Sequence, residues 1–81
     1  MLSVIMPVYN EAATVAEVID VVLVQPEVAE LICVDDCSVD GSGAVLDRLA
    51  TDRPRMRVLH HEVNKGKGAA LRTGIAGATA D

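Results

Sequence analysis

Two carboxylates stand side by side at Asp35 and Asp36, directly after the apolar run Leu31-Ile32-Cys33-Val34, and a glycine-punctuated turn, Asp40-Gly41-Ser42-Gly43, follows shortly. A short continuous apolar run is how a strand covered on both faces reads in sequence, and such strands belong to parallel sheets flanked by helices. Ligands of open α/β sheets bind beyond the carboxyl ends of those strands, so the strand delivers the acid pair to a site. An ionised carboxylate there can accept hydrogen bonds from ribose hydroxyls or base N–H groups, worth about 1.5–3 kcal/mol each when shielded from water. A local use competes, because either acid can instead cap the turn through bonds to nearby main-chain N–H groups.

The second candidate is the basic loop Val63-Asn64-Lys65-Gly66-Lys67-Gly68, with Arg72 one turn further on. Glycines let main-chain N–H groups approach an anion, so Lys65, Lys67 and Arg72 could hold a phosphate near a helix amino terminus; the alternative is a solvated basic turn. The loop lacks the GxxxxGK[ST] pattern of a P-loop. No GxGxxG follows the first strand either, where Pro7-Val8-Tyr9-Asn10-Glu11 stands instead, which disfavours a nicotinamide dinucleotide. His60 and His61 are neighbours, point to opposite faces of a strand and read as structural. Ser38 and Ser42 read as turn hydroxyls, and no Ser-His-Asp arrangement can be assembled. Cys33 and Cys37 read as reduced thiols, since their spacing to the histidines fits no zinc pattern and two cysteines make no disulfide framework.

Three strands must position these loops. Leu2 to Val8 is apolar and ends near Pro7, which cannot donate to a ladder. From Ala12 onward Val15, Val18, Ile19, Val22 and Leu23 share one helical face, with Asn10 as the expected cap, Thr14 and Glu17 at capping-box spacing, and an end before Pro26. After the acid pair, Asp40 or Ser42 is the expected cap of a second helix burying Val45, Leu46 and Leu49. Arg57 to Glu62 reads as a third strand, and a third helix follows with Leu71, Ile75 and Ala78 inward. Gly68, Gly74 and Gly77 cost that helix about 1 kcal/mol each relative to Ala, which implies close approach of a sheet or a ligand. The order βαβαβα predicts three parallel strands joined by right-handed crossovers, half of a doubly wound α/β fold. In it the loops at Pro7–Glu11, Asp35–Ser42 and Val63–Gly68 form one rim. A fourth strand is expected beyond Ala78, so the chain reads as an incomplete single domain with an exposed sheet edge, and self-association through that edge is expected.

Composition narrows the partners. Twelve acids against seven bases give 81 residues a net charge of −5, which offers no footprint for nucleic acid or an anionic membrane. With one aromatic and a hydrophobic share of 51%, Val, Leu, Ile and Ala must build the core. No membrane span or signal peptide is evident, and a cytosolic location is the default expectation.

Taken together, Ser3 to Glu11, Val34 to Ser42 and Asn64 to Gly74 resemble the amino-terminal, nucleotide-binding half of family 2 glycosyltransferases with the GT-A fold, in the branch of polyprenyl-phosphate sugar synthases. The resemblance spans essentially all of residues 1–81 and implies a three-layer, Rossmann-like architecture. It implies that Pro7, Tyr9, Asn10 and Glu11 line the nucleotide pocket. Asp35 and Asp36 would hold base and ribose of a UDP- or GDP-sugar, Lys65, Gly66 and Lys67 would border the nucleotide, and Arg72 is carried over more weakly. Where the family commonly has Gly or another small residue before Ser38, this chain has Cys37. A polyprenyl phosphate is the acceptor the branch implies, at the inner face of a membrane. The family's metal-binding DxD motif and catalytic base lie beyond Asp81, so a divalent Mg or Mn would be held outside this segment, no catalytic or metal residue is assigned within it, and the segment alone is expected to be inactive. The competing class is a non-catalytic, receiver-like signalling module with Mg bound between Asp35 and Asp36.

Overall fold

A computed structural model describes residues 2–78. The elements alternate as β1 (Leu2–Val8), α1 (Val15–Leu23), β2 (Val28–Asp35), α2 (Ser42–Ala50), β3 (Met56–His60) and α3 (Lys67–Gly77). The three strands form one parallel sheet in the order β1-β2-β3. Residues beyond 78, where a fourth strand is expected, lie outside the described ones.

The central strand is the organiser. From Glu30 to Asp36 β2 and its end are buried without interruption, because successive side chains alternate between two covered faces. Leu31 and Cys33 point into a cluster with Val8, Val15, Ile19, Leu46 and Met56, against which α1 and α2 pack. Ile32 and Val34 point the other way, onto Ala70 of α3 with Ile5 and Leu59. Two helices on one face and one on the other complete the three layers. Burial pushes the Cys33 thiol up to about 12, because no neighbour compensates the thiolate there. No helix among the described residues is long and apolar enough to cross a membrane.

Several local expectations are corrected. β2 starts earlier than its apolar run suggests, and β3 covers Met56–His60 rather than Arg57 to Glu62. Thr14 is the cap residue of α1 and makes no side-chain cap bond, and Asn10 does not cap the helix. Gly41, at φ +93, precedes α2 and has no side chain to cap it, but Asp40 one position earlier accepts the N–H of Ser42, the first helical residue, at Oδ1 over 3.0 Å. On α1 Val18 is exposed, although Val15 and Ile19 are buried as expected. The largest difference is α3. Leu71 and Ile75 are exposed, and the helix buries Ala70 and Gly74 instead. At Gly74 a Cβ would fall inside the Ile5 side chain, and at Gly77 it would sit 3.2 Å from Leu59 Cδ1. The glycines let the helix approach the sheet, and small residues rather than large ones therefore define its inner face.

Candidate functional site

The three loops after β1, β2 and β3 meet at the carboxyl end of the sheet, and hydrogen bonds stitch them together. The Asn10 N–H donates to Ser38 Oγ at 3.0 Å and the Val39 N–H donates back to Asn10 Oδ1 at 2.9 Å. Glu11 N–H donates to the fully buried Ser42 Oγ at 2.8 Å. Ser42 Oγ–H in turn donates to Asp40 Oδ1 at 2.5 Å, while Asp40 Oδ2 accepts the Ala12 N–H at 3.1 Å. The Ser42 hydroxyl and then the Ala12 amide hold the Asp40 carboxyl below the ordinary carboxylate value. Asn10 stands at φ +52 and Cys37 at φ +61, left-handed conformations that Asn tolerates and Cys does not favour.

Asp35 and Asp36 part company here. Parallel register pairs Asp35 with His60, and alternation then carries the acid pair and the histidine pair onto opposite faces together. On the α2 face, Asp35 Oδ1 accepts the Ser38 N–H at 3.0 Å and Oδ2 meets His60 Nδ1 at 3.1 Å, while His60 Nε2 reaches Asp47 Oδ1 at 2.9 Å. Asp47 first, then Asp35, raise the His60 imidazolium above its ordinary value. A Cβ on Gly43 would lie 2.5 Å from Asp35 Oδ2, so that glycine makes room for the carboxylate.

On the α3 face, Asp36 collects three donors. His61 Nδ1 and the Lys65 main-chain N–H reach Oδ1 at 2.8 and 2.9 Å, and the Gly66 N–H reaches Oδ2 at 2.9 Å. A carboxylate only accepts, so His61 carries its proton on Nδ1, and Nε2 lies 2.8 Å from Thr73 Oγ1 in α3. The His61 bond is the largest of the effects that lower the Asp36 carboxyl, followed by the Lys65 amide, and together with Gly66 they outweigh desolvation. Asp36 is thus held as an anion. Gly66, at φ +88, gives the turn that aims two consecutive amides at it.

Between the first and third loops lies a cleft of about 320 Å³, lined by Pro7, Val8, Tyr9, Glu11, Asp36, Asn64, Gly66, Lys67 and Ala70. Of the residues singled out from sequence, Pro7, Tyr9, Glu11, Asp36, Gly66 and Lys67 line it. Asn10, Asp35, Lys65 and Arg72 do not. Asn10 and Asp35 act as braces behind the rim, Lys65 contributes its amide to Asp36, and Arg72 is exposed on α3. The Lys65 and Gly66 amides both donate to Asp36. His61 and Thr73 were not apparent as site residues. The pairing of two adjacent acids with two adjacent histidines was the available signal, and it becomes meaningful only once β2 and β3 are set in register.

Asp35 and Asp36 face opposite sides of the sheet, so they cannot share one Mg ion as a receiver-like site requires. Among the described residues no group of three or more His, Cys, Asp or Glu is placed to hold a metal ion. The described residues therefore offer no ligand set to the divalent ion that the resemblance implies.

Residues 3–81 match the family model for Glycosyl transferase family 2. The chain is 36% identical over 77 residues to a glycosyltransferase, GlyG, of Streptococcus pneumoniae, covering 94% of this chain and 26% of that protein. It is 38% identical over 73 residues to the polyprenol monophosphomannose synthase of Mycolicibacterium smegmatis, covering 89% of this chain and 28% of the relative. Among solved structures, a mannosyltransferase from Pyrobaculum calidifontis, in complex with GDP-Man and Mn2+, superposes with a TM-score of 0.85 at 32% identity, covering 95% of this chain and 24% of that one. The chain spans about a quarter of the length of these relatives. The matched motifs, the parallel sheet and the cleft at its carboxyl end agree: the chain belongs to glycosyltransferase family 2.

Proposed function

We propose that residues 1–81 form the nucleotide-sugar-binding amino-terminal part of a single glycosyltransferase domain, which moves a hexose from a UDP- or GDP-sugar to a polyprenyl phosphate at the cytoplasmic face of a membrane. One observation carries the reading. Asp36 is a buried anion whose carboxylate is fixed by three N–H donors and still borders an open cleft. A fold without a ligand to orient has little reason to hold a charge there, and such perturbed groups cluster at functional sites. Asp36 accepts from the nucleoside, the Tyr9 ring offers an apolar wall, and Lys67 brings positive charge towards the diphosphate. In the transfer itself the acceptor oxygen bonds the anomeric carbon, the bond from that carbon to the diphosphate breaks, and the nucleoside diphosphate leaves with the electron pair.

The acceptor rests on the mycobacterial relative, whose name is that of a polyprenol monophosphomannose synthase. The 81-residue chain is expected to bind nucleotide without transferring sugar, because Lys67 alone supplies charge to the leaving diphosphate and no metal ligand set stands among the described residues. The outer edge of β1 has no partner strand among the described residues, and a second copy pairing there would appear as dimer in sedimentation velocity. Titration with UDP and GDP, followed by amide NMR, tests the site. Saturable shifts at Tyr9, Asp36 and Lys67, weakened in Asp36→Ala, are expected; a well-dispersed spectrum that moves with neither nucleotide refutes the reading.

A further inference from the structure

We propose that His61 is a positioning residue that sets which nucleobase edge the cleft accepts: by filling one acceptor position of Asp36 it leaves a single one, matched to the lone N–H of uracil rather than to the paired donors of guanine. The inference rests on the reading that Asp36 receives the nucleoside.

The Asp36 carboxylate has a limited acceptor capacity. An ionised carboxylate offers about four lone-pair positions, two on each oxygen. Both positions of Oδ1 are taken, by His61 Nδ1 at 2.8 Å and the Lys65 N–H at 2.9 Å, and one position of Oδ2 is taken by the Gly66 N–H at 2.9 Å. One position remains, on Oδ2. The Watson–Crick edge of guanine presents N1–H and an N2 amine side by side, and a carboxylate receives that pair with one lone pair from each oxygen. Oδ1 has none to give. Guanine would have to displace a donor, and a displaced donor here is buried and loses its partner. Uracil presents a single N3–H between two carbonyls and needs only the position that is open.

Of the three donors, His61 is the one a sequence can vary. The other two are main-chain amides set by the Gly66 turn at φ +88. The His61 ring is buried and held from behind by Thr73 Oγ1 at 2.8 Å from Nε2, so its Nδ1–H stays on Oδ1. His61 touches no ligand in this arrangement. It acts through the acid it occupies.

The test compares affinities of the intact chain for UDP and GDP, so that the diphosphate and ribose contributions cancel in the ratio. Wild type is expected to favour UDP by about tenfold or more. His61→Phe keeps a ring of similar size, removes the donor and should lower that preference by about tenfold. His61→Asn, whose amide N–H can reach the position of Nδ1, should restore it. Equal or tighter binding of GDP by wild type, or a UDP preference unmoved by His61→Phe, overturns the role of His61 and leaves the cleft reading standing. Absence of saturable binding for both nucleotides by the well-folded wild type overturns the cleft reading, and the inference with it. If His61→Phe does not fold, Thr73→Val frees the ring from its rear contact and must also lower the UDP preference; an unchanged ratio there refutes the proposal.

Discussion

Replacing Gly74 by Ala puts helix propensity and packing in direct opposition. Ala in a helix interior is favoured over Gly by about 1 kcal/mol, so an exposed position would gain that much. Gly74 is instead buried against β1, where the new Cβ would overlap the Ile5 side chain, lying only 3.3 Å from its Cδ1. Inserting a methyl into a packed contact costs about 1–3 kcal/mol and here also takes a shift of helix or strand. The expected balance is a loss of up to about 2 kcal/mol, or several degrees in melting temperature for a domain of this size. The same shift would move Thr73 relative to His61, so binding at the cleft should weaken alongside stability. Urea unfolding of wild type, Gly74→Ala, Ile5→Ala and the double variant provides the assay. Ile5 is half-buried, and Ile5→Ala alone should cost about 1–3 kcal/mol. Because the truncated side chain no longer occupies the space of the new methyl, the double variant should be more stable than the sum predicts by about 1 kcal/mol or more. A stabilised Gly74→Ala, or strictly additive losses, would refute the claim that close approach of α3 to β1 is what keeps a glycine there.

Three further outcomes follow from the site. Cys37→Gly relieves a left-handed residue at φ +61 and, after the extra freedom of Gly in the unfolded chain, should raise stability by up to about 1 kcal/mol; a lower urea midpoint would count against the strain. His60, raised by Asp47 and Asp35 above its ordinary 6.5, contributes stability that is fully present below that unfolded value and lost as pH rises through the higher folded one; the stability gap between wild type and His60→Gln should therefore be wider at about pH 5.5 than at about pH 9, and a gap that widens with pH contradicts the pairing. A thiol reagent at neutral pH should label Cys37 and spare Cys33, whose thiol is fully buried and pushed up to about 12; equal labelling rates in the folded chain would show that the β2 core opens readily.

The sequence by itself determined the order of elements, the parallel sheet and the rim that its loops share, because hydrophobic periodicity and turn residues act locally and a right-handed crossover leaves little choice of topology. It also singled out Pro7, Tyr9, Glu11, Asp36, Gly66 and Lys67, all of which line the cleft. What it could not separate was Asp35 from Asp36, or a ligand-facing Asn10 from a bracing one, since those distinctions depend on which neighbour each side chain meets across the sheet. The inner face of α3 was hidden for a different reason. A pattern of large apolar residues points to Leu71 and Ile75, yet the distance between helix and sheet is set by Gly74 and Ala70, whose small size is what permits burial. His61 and Thr73 gained their roles only when strand register brought one histidine beside each acid. Local chemistry fixes which groups are available, and long-range register decides which of them keep an open lone pair.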